Sequence, residues 1–197
     1  MASRNPSLTA LSEFLFHQPR ILFESTVSCI EIDGDGIASP HQKISVDELI
    51  LRVRTAKSLI AIVENIHPNN IEALGSSLDI DPFFFCGHIA SSYQDVEKTP
   101  PPPLMSMLPS RIASRDFLNI HFQKVLDLGE ECALHHVPYK FIAPGNIARE
   151  VRRLPALSGR AIGLLRGCIS ILKKQLTDDN WICKCPSILS ALASADV

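Results

Sequence analysis

The apolar residues change their period midway along the chain, and that change constrains the fold more than any other feature. Before the proline run Pro100–Pro103 they recur at helical spacing or in short runs behind capping residues. From Phe117 onward they alternate with polar residues, as in antiparallel strands with one wet face. A helical first half followed by a strand-rich second half predicts an α+β fold. The expected sheet is mixed or antiparallel, with the helices concentrated in the N-terminal half.

The local signals place the elements. Residues 1–20 read as a helical or partly disordered lead-in, with Leu8, Leu11, Phe14 and Leu15 on one face and Pro19 as the stop. Residues 21–32 read as a strand running into the turn Asp33-Gly34-Asp35-Gly36. Ser45 and Glu48 form a capping box ahead of a helix that carries Val46, Leu49, Ile50 and Val53 on one side. Leu59–Val63 is a continuous apolar run and predicts a buried central strand. Pro68 opens a helix through Leu78, and Asp81-Pro82 caps and opens another, rich in Phe83, Phe84, Phe85, Cys86 and Ile89. The prolines make 98–104 an extended surface loop. Phe117–Leu128 and Cys132–Ile142 are expected to pair as a hairpin turned by Gly129-Glu130. Asn146–Leu154 reads as a short helix or turn, Gly159–Leu176 as a long strand-rich stretch, and Thr177–Asn180 as a turn into Trp181. The expected organisation is a lead-in (1–20), one α+β domain (21–182) and a tail (183–197).

Composition narrows the function classes. The 197 residues are 46% hydrophobic and 20% charged, enough for a packed core. The net charge of -2 argues against a nucleic-acid binder that works through a general basic field. Glu13, His17 and Arg20 interrupt any signal-peptide core, and no run approaches the ~18 apolar residues of a membrane helix. The expectation is a soluble cytoplasmic protein with reduced thiols; Cys29, Cys86, Cys132 and Cys168 sit among apolar neighbours like small core residues.

The acidic run from Glu31 to Gly36 puts glycine where a calcium loop needs it, but Gln42 stands where the bidentate Glu belongs, so a plain turn is expected. Cys132, His135, His136, Cys183 and Cys185 lack the paired spacing of a zinc site. No phosphate loop, nucleophile elbow or dinucleotide fingerprint occurs, so neither metal nor cofactor is expected.

Glu64, His67, Asp79, Asp81 and His88 gather near strand and helix ends, where polar groups are either caps or site residues. Glu64, Asp81 and His88 are the catalytic candidates, and His67, Phe83, Phe84 and Phe85 the substrate-contact candidates. The alternative for Asp81 is a helix cap and, for the phenylalanines, ordinary core.

The stretch Val63-Glu64-Asn65-Ile66, then Ile71-Glu72-Ala73-Leu74-Gly75, then Leu78-Asp79-Ile80-Asp81-Pro82-Phe83-Phe84-Phe85 and His88-Ile89, resembles the soluble N-terminal region of fungal CorA-like magnesium-transporter-related proteins. Asn146–Val151, Leu154-Pro155, Gly159–Ser170 and Asp179–Ile182 extend the resemblance over roughly residues 20–182. Full-length members of that family continue into a helical stalk and two membrane spans with a Gly-Met-Asn pore signature. This sequence reaches Val197 without them, so the expectation is a stand-alone soluble relative and not a transporter.

Two function classes follow from that resemblance. The first is a protein that handles a small hydrophobic molecule in fungal specialised metabolism, as a cofactor-free cyclase, isomerase or pericyclase. The second is a regulatory or interaction domain that meets a protein partner through its basic last third, with Arg149, Arg152 and Arg153 on a short helix and Arg160, Arg166, Lys173 and Lys174 beyond. A truncated relative without function is the third reading. The mean hydropathy of +0.14 and the missing phosphate and redox motifs favour the first.

Overall fold

The structure, a computed structural model, describes residues 8–16, 23–56, 58–89, 116–130, 138–177 and 180–185. The α+β expectation holds. The helices among these residues are α1 (Thr9–Phe16), α2 (Val46–Thr55), α3 (Pro68–Ser77) and α4 (Pro82–Ile89). Strands β1 (Thr26–Ile32), β2 (Gln42–Ile44) and β3 (Ser58–Glu64) lie between them. β4 (Phe117–Glu130), β5 (Lys140–Ala143), β6 (Arg149–Arg153), β7 (Arg160–Thr177) and β8 (Asn180–Cys185) follow. The strands join in the order β2-β1-β3-β8-β7-β6-β5, and β4 pairs with the other edge of β7. Every pairing is antiparallel except β3 with β8, which makes the sheet mixed.

Local chemistry explains the first half. Ser45 caps α2, its Oγ accepting from the Glu48 N–H at 3.1 Å. The Glu48 carboxylate does not complete a capping box; it takes Arg52 at 2.6 Å. Arg52 also reaches Glu31 and the Gln42 side-chain oxygen, each at 3.0 Å, and so ties α2 to β1 and β2. Leu49 and Val53 fill the space beneath that clamp. The acidic turn satisfies itself, because Asp33 Oδ1 accepts from the Asp35 and Ile37 N–H groups. β3 buries Leu59, Ala61 and Val63 between β1 and β8.

The second half departs from three expectations. Among the described residues β4 pairs with β7, from Phe117 opposite Leu172 to Glu130 opposite Arg160, and the described end of its expected hairpin partner, Lys140–Ile142, pairs with β6 instead; residues 131–137 of that partner lie outside the described residues. Gly129, at φ 96°, forms an irregularity inside β4, its N–H held by Asp127 Oδ1. Residues 149–153 are strand β6, not helix or turn: Val151 sits opposite Phe141 of β5 and Leu165 of β7. Strand pairing of this kind depends on distant partners, which local patterning does not reveal. β8 carries on past Ile182 to Cys185, so part of the expected tail is inside the sheet. The proline loop 98–104 and Cys132, His135 and His136 lie outside the described residues.

β7 serves two cores. Its buried positions are odd-numbered from Ala161 to Gly167, then even-numbered from Cys168 to Leu172. One strand face is buried on each side of that switch. Val151, Leu165, Leu126 and Ala143 form the smaller apolar cluster. Leu172 joins the larger one under the helices, with Phe84, Phe85, Leu59 and Leu74. On its β6–β8 edge, β7 pairs with β6 at residues 163–165 and with β8 from Leu172 onward. Among the described residues no strand lies against that edge between them. The parity switch falls in this gap.

Candidate functional site

Helix α4 brings the site together. Asp81 caps it, Oδ1 accepting from the Phe83 N–H at 2.9 Å, and Pro82 fixes the first turn. Phe84 packs edge-on against Phe85 and Phe117, with ring centroids 5.1 and 5.7 Å away. Gly87 lets the helix lie close on β4: a Cβ there would stand 1.9 Å from Asn119 Nδ2. The Asn119 side chain passes through that space and donates to the Phe84 carbonyl at 3.2 Å.

One turn on, His88 points into the parity switch of β7. It is 3% exposed, and its Nδ1 shares a 2.9 Å hydrogen bond with Ser170 Oγ. Ser170 is fully buried and also faces Cys168 Sγ at 3.6 Å, while that thiol meets the Gly87 carbonyl. Cross-strand register puts Asn119 opposite Ser170 and His121 opposite Cys168, so all four share one face of the β4–β7 ribbon. Arg149, at the start of β6 and 4% exposed, donates from Nη2 to the His88 carbonyl at 2.8 Å. That carbonyl belongs to the last turn of α4, where a cation is favoured. The other guanidinium nitrogens, Nε and Nη1, are buried without an acceptor, and buried Asn119 Oδ1 has no donor.

The electrostatics follow from burial and like charge. Burial, then Arg149 and His121, lowers the His88 pKa to about 3, so the imidazole is neutral at neutral pH. Loss of hydration beside the ribbon, then Arg166 and Arg149, lowers His121 as well, although its side chain is exposed. Burial lowers Arg149 to about 10, which leaves it cationic. Burial pushes the Cys168 thiol up, so it is a poor thiolate.

This arrangement favours binding over acid–base chemistry. A Ser170–His88 pair at 2.9 Å has the spacing of a nucleophile and its base. Activating the serine, however, would place a proton on an imidazole that burial and the adjacent Arg149 hold neutral. A general base works best with a pKa near the working pH. What the cluster does offer is a set of buried hydrogen-bonding groups, three of whose atoms lack partners.

The other candidates are placed elsewhere. Asp81 is an exposed cap at the opposite end of α4 from His88, about 10 Å away at 1.5 Å per residue. His67 caps α3, with Nδ1 accepting from the Asn69 N–H at 3.1 Å. Glu64 ends β3 half-buried, its carbonyl accepting from Ser25 Oγ. Phe84 and Phe85 are core residues beside the cluster, and Phe83 is partly exposed.

Sequence reading passed over Asn119 and Ser170, took Cys168 for a core residue, which it is, and placed Arg149 on a basic partner-binding helix. The expected basic helix is strand β6. Arg149 turns inward, Arg152 pairs with Glu150 at 2.9 Å, and Arg160 pairs with Asp127. Among the described residues no group of His, Cys, Asp and Glu side chains is set to hold a metal ion. Nor is any helix among them long and apolar enough to cross a membrane.

No protein-family model matches the chain, and neither a curated protein nor a solved structure matches it.

Proposed function

We propose that this chain binds a small organic molecule at the cluster of His88, Asn119, Arg149 and Ser170, beneath α4 and beside the gap between β6 and β8. The observation that carries the reading is the set of partnerless polar atoms, Arg149 Nε and Nη1 and Asn119 Oδ1, buried where two apolar cores meet. Leaving such atoms unpaired costs about 1–3 kcal/mol each, more for a charged group. A ligand that supplies those partners removes the cost. His88 and Ser170 then act as hydrogen-bonding groups that orient the ligand. Any turnover would rest on polarisation by Arg149, since His88 is a weak base. The place in specialised metabolism suggested by the CorA-like resemblance belongs to this proposal as its biological setting.

A fragment screen followed by backbone amide shifts tests the reading. Binders are expected to perturb Gly87–Ile89, Asn119, Arg149 and Cys168–Ser170 together. A broad screen in which no fragment perturbs that set would overturn it. Metabolite profiling after deletion of the gene tests the setting: loss or build-up of an organic metabolite is expected, and an unchanged profile counts against it.

A further inference from the structure

We infer that the ligand presents a monovalent carboxylate to Arg149, so that the site takes small organic acids with an apolar body; this rests on the reading that the cluster is a binding site.

The charge balance around Arg149 is one-sided. Its guanidinium is buried, and among the described residues its one hydrogen-bond acceptor is the carbonyl of His88. The charged neighbour that acts on it is another cation, Arg166, and the Cys168 thiol beside it is neutral; among the described residues no carboxylate acts on it. The carboxylate of the next residue, Glu150, is engaged by Arg152 and Lys140. Capping α4 accounts for one nitrogen of the guanidinium and leaves two bare. A neutral side chain of similar length would cap at lower cost, because an uncompensated buried charge is among the most destabilising features a core can carry.

The missing partner is therefore an anion, and its charge can be counted. His88 is neutral and Arg149 is cationic, so the buried groups carry one positive charge. A single carboxylate balances it; a phosphate dianion would leave excess negative charge in the core. The shape agrees. With Nη2 tied to the His88 carbonyl, the guanidinium plane is set, and a carboxylate oxygen can accept a charge-assisted hydrogen bond from the bare Nε or Nη1. Apolar clusters lie on both sides of the parity switch, with Val151 and Leu165 in one and Phe84 and Leu172 in the other. They suit the hydrocarbon part of an organic acid and not a small inorganic ion.

Benzoate, its neutral isostere benzamide, and inorganic phosphate separate the alternatives. Each is titrated into the full chain at neutral pH, with amide shifts followed at Gly87–Ile89, Arg149 and Ser170. Benzoate is expected to bind there at least about tenfold more tightly than either of the others, the range of a charge-assisted hydrogen bond. Arg149→Gln is expected to abolish that preference and Arg149→Lys to keep part of it, each variant first checked for native amide dispersion. Equal binding of benzamide at the same residues would overturn the carboxylate assignment and leave the small-molecule reading standing. Phosphate binding as tightly as benzoate would assign the site to an inorganic anion instead. Failure of all three to perturb the cluster would overturn the assignment, and the fragment screen then decides whether the binding reading falls with it.

Discussion

Lowering the pH from 7 to 5 should destabilise this chain through His88, by an amount that follows from its surroundings. The imidazole is sealed between α4 and β7, with the Arg149 cation beside it, and its native pKa is about 3. In the unfolded chain an ordinary histidine titrates near 6.5. Acid protonates the unfolded ring first and so favours the unfolded chain. The stability held by the neutral ring is complete above about pH 6.5 and is lost progressively as the pH falls toward about 3. At pH 5 the unfolded ring is favoured by about one and a half pH units of proton uptake, or about 2 kcal/mol. His88→Asn keeps a hydrogen-bonding group near the Nδ1 position and cannot titrate. Urea midpoints of both proteins between pH 7 and 5 give the comparison. The variant is expected to start less stable, then to lose about 2 kcal/mol less than the parent over the range, because the other histidines cancel in the difference. Parallel curves would refute the reasoning, for they would mean that the His88 ring protonates in the folded protein as readily as in the unfolded one.

Three further outcomes follow. Gly87→Ala would drive a methyl group into Asn119 and is expected to cost about 1–3 kcal/mol in urea denaturation, much of it recovered in the double variant with Asn119→Ala. Arg149→Met removes the buried cation and keeps the length of the side chain, so unfolding stability is expected to hold or to rise by up to about 2 kcal/mol while benzoate binding is lost; a loss of several kcal/mol would show that the guanidinium is an essential cap. Cys29 and Cys168, at 1% and 0% exposed, are expected to resist thiol labelling of the native protein, while the partly exposed Cys86 reacts faster, as site-resolved mass spectrometry would show.

The α+β order was legible because period and caps are local properties. Ser45 capping α2, Asp81 and Pro82 opening α4, and the apolar run of β3 are each written within a few residues. β6 was not, since Val151 becomes a strand residue through Phe141 and Leu165, partners on two other strands, and its own strand is short. The partner of β4 was not legible for a related reason: the alternation of β4 says that it lies in a sheet and not that it meets β7. The site was legible by one residue. His88 stood out as a polar group near a helix end, and so did Asp81 and His67, which the fold uses as caps. Arg149 is indistinguishable in sequence from the surface arginines after it, because inward direction is set by the tertiary fold. Ser170 and Cys168 look like ordinary strand residues until the buried parity of β7 changes at Cys168 and turns them under α4.

The central claim is that Arg149 waits for an acceptor from outside the chain. A crystal structure of the protein soaked with benzoate tests it most directly. The account expects a carboxylate oxygen within about 3 Å of Arg149 Nε or Nη1, with the His88–Ser170 hydrogen bond intact. A carboxylate side chain of the protein itself standing on those nitrogens, with no benzoate present, would contradict it.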